Sequence, residues 1–325
     1  MRSIVVIISL ATFYASSCGQ ITKKQNQATI NPSIQIEEQE IESIPLSQFN
    51  CVQPETKMLE KAYQEESAIK LKDFFDTWSK DVPPITDTDL TEFNDTIQQA
   101  YKAFISFYNP HRYDIYEKVD FLIVQNYVKI CFTDDKIYYT EQEWENFVVD
   151  KINQYRWWSM SRKNRAYWLK RGEDGKLSDH TLDNFSPHND FQNWLVDSIV
   201  NFRPNINRNG KTPIFLTKKY AEILKAFLGN EYIELGTGGI MNPARSKGES
   251  EKRKVFLENY VKIFHGHWGG YWQLLSYPEA ESITFDKNME YARVDFRFVY
   301  QGGYAILKNQ GGKWTLMSSK LTWIE

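Results

Sequence analysis

Alternation near the C-terminal end constrains this chain more than any other feature. Val294, Phe296, Phe298 and Tyr300 fall on one side of an extended segment and Arg293, Asp295 and Arg297 on the other, with Ile283 and Phe285 alternating just before them. A period of two sends successive side chains to opposite faces of a strand, so one face is apolar and must be covered. Gln301-Gly302-Gly303 reads as a turn, Tyr304 to Leu307 as the returning strand, Gly311-Gly312 as a second turn, and WTLMSSKLTWIE as the strand that closes an antiparallel meander. The row Arg293, Asp295, Arg297 is expected to be solvated or self-paired.

The cover is supplied upstream, by segments with helical periodicity. Leu59, Ala62, Tyr63, Leu71, Phe74, Phe75 and Trp78 keep that spacing until Pro83-Pro84. Leu90, Phe93, Ile97, Ala100, Phe104 and Phe107 form a second stripe behind caps at Asp87 to Asp89, and the two helices are expected to lie antiparallel. VDFLIVQNYVKICF, residues 119–132, is either one long strand or a hairpin turning at Gln125-Asn126. Glu141 to Tyr155 is a helix with Trp144, Phe147, Val148 and Ile152 on one face, and LTKKYAEILKAF is a short helix closed by Gly229. Between these helices, residues 159–194 are polar and aperiodic, carrying Arg162, Lys163, Arg165, Lys170 and Arg171; excursions of that kind are functional or mobile. Helices first and a meander last predict an α+β fold, helices packed on one face of the sheet. The pattern is similar to the cystatin-like and nuclear-transport-factor-like folds, an analogy of fold that implies no activity.

The first residues carry an address. MRSIVVIISLATFYASSCGQ has a single cation at Arg2, an apolar run from Ile4 to Tyr14 and small residues before Cys18, the layout of a secretory signal. Ala15-Ser16-Ser17-Cys18 resembles the lipobox of bacterial lipoproteins, with Ala where Leu is commonest. That resemblance implies cleavage before Cys18 and acylation of it; several acyl chains anchor stably where one binds only marginally. Between Tyr14 and Phe49 there is no aromatic residue, so the segment after Cys18 reads as a disordered tether. The expected organisation is a signal peptide over 1–17, a lipidated tether over 18–53 and one α+β domain over 54–325, with a sub-boundary near 200 left open. The partner is then the lipid membrane through acylated Cys18. No acidic residue stands between Gly19 and Lys24, where acidic residues resemble surface-export tags, so a periplasm-facing outer-membrane lipoprotein is expected. A formal charge of −3 offers no basic field, so no nucleic-acid partner is expected. Cys131 inside VKICF reads most simply as a buried thiol, with a disulfide to Cys51 left open.

Candidate chemistry gathers between Gly236 and Trp272. Glycines at both ends mark tight turns, and Phe256, Leu257, Tyr260, Ile263 and Phe264 predict a helix of about four turns with Ser246 or Ser250 as its cap. Arg245, Lys247, Lys252, Arg253 and Lys254 crowd the helix start, a place suited to an anion. His265 and His267 project to the same side of an extended segment, so both imidazoles can face one ligand; a third metal ligand would have to come from Glu279, Glu281, His188 or Asp190, and no metal is assigned. Trp268, Tyr271 and Trp272 either floor a sugar pocket or pack the sheet. The ligand-binding candidates are therefore Asn242, Arg245, Lys247, Arg253, His265, His267 and Trp268, with no catalytic residue or cofactor assigned. Asn-Gly-Lys-Thr at 209–212 resembles the end of a phosphate-binding loop but has Asn205 where that loop needs glycine.

NFRP at 201–204, IMNPARSKGESEKR at 240–253, HGHWGGYW at 265–272, YQGG at 300–303 and SKLTWIE at 319–325 together resemble a set of uncharacterised secreted bacterial proteins, many from Bacteroidota. The resemblance covers mainly the last 125 residues of this chain and implies no activity. The reading that follows is an envelope lipoprotein whose domain binds an anionic group or an envelope glycan. Its rivals are a hydrolase of an envelope polymer using His265 or His267 with a carboxylate, and a structural partner-binding lipoprotein.

Overall fold

A two-stranded parallel ribbon divides the apolar interior in two. The computed structural model describes residues 53–109, 116–154, 161–206, 210–229, 239–241, 248–265 and 271–324. Cys18, Cys51 and the expected tether lie outside them. In chain order the elements are α1 (Pro54–Gln64), α2 (Ala68–Asp81), α3 (Asp87–Leu90), α4 (Asp95–Phe107), β1 (Phe121–Val124), β2 (Tyr127–Thr133), α5 (Glu141–Gln154), α6 (Arg162–Trp168), α7 (Asp179–Asn184) and β3 (Trp194–Val200). There follow β4 (Thr212–Phe215), α8 (Lys218–Leu228), β5 (Gly239–Met241), α9 (Glu249–Leu257), β6 (Phe264–His265), β7 (Tyr271–Gln273), β8 (Glu279–Asp286), β9 (Tyr291–Phe298), β10 (Gln301–Gln310) and β11 (Lys313–Ile324). Among the described residues no helix is long and apolar enough to cross a membrane.

The main sheet has six strands in the order β11-β10-β9-β8-β2-β3, antiparallel except at the β2–β8 pair. With helices preceding the meander, the class is α+β, as the two periodicities predict. Helix α4 packs on one sheet face, where Phe104 and Phe107 meet Ile283, Phe285, Val294, Phe296 and Leu307 in one core. Helices α1, α2 and α8 build a second core around Phe74, Phe75, Trp78 and Tyr220; the Trp78 and Tyr220 rings stack at 4.4 Å. Strand β1 pairs in parallel with β4 and serves both cores: Phe121 and Ile123 face the second, Leu122 and Val124 the first. All four of its side chains are buried, which explains an apolar run without alternation.

The segment 119–132 is therefore neither one strand nor a hairpin. It does break at Gln125-Asn126, but β1 and β2 enter different sheets. Gln125 causes the split by acting as a surrogate for backbone. Its Nε2 donates to the carbonyls of Tyr127 (2.7 Å) and Ala280 (2.8 Å), while its Oε1 accepts from the Ala280 N–H at 2.6 Å. Asn126 Nδ2 donates to the Leu216 carbonyl at 2.6 Å. Buried backbone groups that lose a ladder partner are thus still paired.

Three helical expectations change. The run over 59–78 breaks into α1 and α2, because Glu66 adopts φ 47° and the Ser67 hydroxyl accepts from the Lys70 N–H; the polar residues 64–67 have no core to face. The second stripe starts a helix at Asn94, whose side chain accepts from the Ile97 N–H at 2.9 Å, while α3 is a separate turn capped by Thr86. Helices α2 and α4 then belong to different cores instead of forming an antiparallel pair.

The other sheet face is covered as well. Arg293 and Asp295 of the charged row pair at 2.7 Å, while Arg297 Nε donates to the Val299 carbonyl at 2.8 Å, and the Arg293 guanidinium lies over the rings of Phe191 and Tyr304 at 4.4 and 4.6 Å. Ile137, Tyr138 and Phe191 join Tyr304 and Ile306 there. Residues 161–194 are ordered by α6, α7 and a 3-10 turn at Pro187–Asp190 rather than irregular. Leu177 and Phe185 pack on Val148 and Ile152 of α5, with Trp168 beside them. The turn expected at 301–303 falls instead at Val299, φ 57°, and the glycines lie inside β10. A Cβ on Gly303 would stand 1.9 Å from the Lys320 carbonyl oxygen, a close approach that only glycine permits.

Candidate functional site

Helix α9 has nine residues, Glu249–Leu257, and stops short of Phe264. The carbonyl of Tyr260 is taken by the N–H groups of Asp120 (3.2 Å) and Phe121 (3.1 Å), which start β1, so it cannot serve a continuing helix. Gly248 occupies the N-cap without a side-chain bond, and Ser250 lies inside the helix, buried, not at its cap.

Two of the expected cations turn inward. The Arg253 guanidinium pairs with Glu60, donates to the Phe227 carbonyl at 2.7 Å, and rests over the rings of Tyr63 and Phe227 at 5.2 and 5.0 Å. Those contacts fix α9 to α1 and α8, so Arg253 is a packing residue and not an exposed anion ligand. Lys254 is 1% exposed, pairs with Glu258 at 2.9 Å and covers the Trp272 ring at 5.5 Å. Trp272 is itself buried, packing rather than flooring a pocket.

Strand β7 pairs with β5 on one side and β6 on the other, so Ile240 and His265 both stand opposite Trp272. The two ends of the glycine-rich stretch are thereby brought together in backbone. Asn242, Arg245, Lys247, His267 and Trp268 lie outside the described residues, as does the side chain of His265. The proposed third ligands do not gather: His188 is ringed by Tyr139, Trp144, Phe191 and Tyr304 in the α5–α7 layer, while Glu279 is buried at the start of β8. Among the described residues no group of three His, Cys, Asp or Glu side chains is placed to hold a metal. Lys211, from the loop-like tetrapeptide, donates to the carbonyls of Glu117 (2.9 Å) and Val119. Cys131 is a buried free thiol, its pKa raised by burial.

A cleft of about 480 Å³ opens instead between α5, α7 and β11, lined by Tyr139, Glu141, Trp144, Asp179, Leu182, Asp183 and Lys320. Its two aromatic rings meet edge to face at 6.3 Å, and Trp144 is held by its indole N–H, which donates to the Leu182 carbonyl at 3.3 Å. Glu141 pairs with Lys176, and Asp183 pairs with Lys320 across the cleft. The Asp179 carboxylate has no partner among the described residues. Behind the two rings sits His188, 7% exposed, its Nδ1 without a hydrogen-bond partner. Burial pushes its pKa down to about 4, with the charges of Arg293 and Lys320 adding to the effect.

The helical stripe of α5 includes Trp144, and Asp179, Leu182 and Asp183 come from the polar stretch 159–194. The meeting of Asp179, Asp183 and Lys320 had no local sign, because it depends on β11 lying beside α7. No protein-family model matches this chain, and neither the curated proteins nor the solved structures compared with it give a match.

Proposed function

We propose that the chain is a lipid-anchored envelope protein, held at the outer membrane through acylated Cys18 and facing the periplasm, whose domain binds a glycan in the cleft between α5, α7 and β11. The observation that carries this reading is the pairing of Tyr139 and Trp144 with Glu141, Asp179, Asp183 and Lys320 around about 480 Å³. Ring faces suit the C–H faces of a sugar, and fixed polar groups at the rim suit its hydroxyls. The ion pairs of Glu141 and Asp183 hold two of the acceptors in place before a ligand arrives, which lowers the ordering cost of binding. The lipobox-like Ala15-Ser16-Ser17-Cys18 and the resemblance of the C-terminal segments to secreted bacterial proteins support export.

Calorimetric titration with glycan fragments released from the native envelope tests the reading. Removal of a central aromatic anchor typically costs about 2 kcal/mol, so Trp144→Ala should weaken binding roughly thirtyfold while far-ultraviolet dichroism stays native. Unchanged affinity in that variant sinks the cleft as the site. Cys18→Ser should move the protein from membrane to soluble fractions; retention in the membrane contradicts the anchor.

A partner-binding role is favoured by one observation, the exposed apolar residues Leu321, Trp323 and Ile324 on β11 and Leu195, Val196 and Val200 on β3. Both are edge strands, and each carries a register irregularity against its neighbour, a feature that discourages simple sheet extension.

A further inference from the structure

Helix α7 has clefts on both sides. Asp179, Leu182 and Asp183 face the larger one; Ser178, His180 and Thr181 face a smaller one of about 220 Å³, which Tyr167, Lys170 and Arg171 complete. The chemistry of the two differs in sign. No carboxylate lines the smaller cleft, and its lining carries two cations, Lys170 and Arg171. Lys170 makes no ion pair among the described residues. Arg171 gives Nη1 to Glu145 and to the Gly175 carbonyl at 2.5 Å, an arrangement that fixes the guanidinium.

The neutral groups are donors too. Ser178 and Thr181 share one hydroxyl–hydroxyl bond at 3.1 Å, and the Ser178 oxygen also accepts from the Thr181 N–H, so one hydroxyl proton remains to donate. His180 stacks on Trp168 at 5.2 Å, and Asn184 Nδ2 stands 3.2 Å from its Nδ1. Asn184 Nδ2 also stands 3.5 Å from Nε2, and the ring carries one N–H donor in either neutral tautomer. Lys170 without an ion pair among the described residues, Arg171 held from behind by Glu145, a hydroxyl and an imidazole form a set that suits an oxyanion.

We infer that the smaller cleft binds the phosphate or carboxylate substituent of an acidic glycan whose sugar ring occupies the larger cleft, with α7 as the wall between. The two subsites are then separated by about the width of one helix, ~10 Å, so the ligand spans more than one sugar. This rests on the glycan reading only for its second half; the anion site stands on its own donors.

The test uses the full chain and three titrants: inorganic phosphate, acetate, and envelope glycan fragments separated into acidic and neutral fractions. Phosphate should move the NMR signals of the His180 ring to a plateau, and Lys170→Gln should weaken that response by about ten- to a hundredfold. A plateau at lower concentration with phosphate than with acetate assigns the substituent as phosphate, and the reverse order assigns a carboxylate. The acidic fraction should bind at least about tenfold tighter than the neutral one, and the Lys170→Gln protein should lose that preference while keeping its neutral-fragment affinity. A His180 ring that does not respond to either anion, or a preference that survives Lys170→Gln, overturns the inference. If phosphate saturates His180 but neither glycan fraction binds, the glycan half fails and the anion site remains.

Discussion

His188 makes stability depend on pH in a way that can be worked out from its surroundings. The imidazole is buried among Tyr139, Trp144, Phe191 and Tyr304, next to the charges of Arg293 and Lys320, and its pKa falls from 6.5 to about 4. A depressed pKa means that the folded state resists the proton. Above pH 6.5 the ring is neutral in both states and the fold carries no penalty. As pH falls from 6.5 toward 4, the unfolded chain takes up a proton that the folded chain refuses, and stability is lost. The full window is worth about 3 kcal/mol, and about 2 kcal/mol is gone by pH 5. His188→Phe keeps a ring in the aromatic cluster and removes the titration. Urea unfolding of both proteins at pH 7.5 and pH 5 gives the comparison. Wild type should lose about 2 kcal/mol more than the variant over that interval, carboxylate contributions being common to both. Equal losses would show that the imidazole is not held neutral and would refute the argument.

Other consequences are simpler. Gly303→Ala puts a methyl group against the Lys320 backbone and should cost more than ~3 kcal/mol, whereas the atoms nearest a Cβ on Gly302 belong to the side chain of Trp323, 40% exposed, and Gly302→Ala should cost less; thermal unfolding midpoints rank the two. Gln125→Leu leaves the N–H and carbonyl of Ala280 buried without their partner and should destabilise by ~2–4 kcal/mol in denaturant titration, with a loss below ~0.5 kcal/mol arguing against the surrogate role. Arg253→Ala should lower the unfolding midpoint without changing the affinity for phosphate; a variant with native stability and impaired anion binding would return Arg253 to a ligand role.

Local patterns were legible wherever the chain supplies its own partners. Helix α8 runs from Lys218 to Leu228 and closes on Gly229 at φ 68°, with Tyr220, Ile223, Leu224 and Phe227 buried as the stripe requires. The alternation of Val294 and Phe296 against Arg293 and Asp295 places them on opposite faces, and Gly311 and Gly312 take the positive φ of the last turn. Long-range pairing was hidden. Nothing near Phe121 announces β4, and nothing near Tyr260 announces that its carbonyl accepts from the N–H groups at the start of β1. The same holds for the larger cleft, whose walls come from residues 139–144, 179–183 and 320. Charge near a helix start misled at Arg253, which is drawn by the rings of Tyr63 and Phe227 and by Glu60, partners from α1 and α8 that spacing within α9 does not reveal.

The central claim is that ligand enters between Tyr139 and Trp144. Its most direct test is an NMR titration of the assigned protein with envelope glycan fragments, following the Trp144 indole N–H that donates to the Leu182 carbonyl. The account predicts a saturable shift of that resonance together with Asp179 and Lys320, while residues 239–241 and 249–265 stay still. Shifts confined to residues 239–273, with the Trp144 indole unmoved, would contradict it and return the site to the glycine-rich stretch.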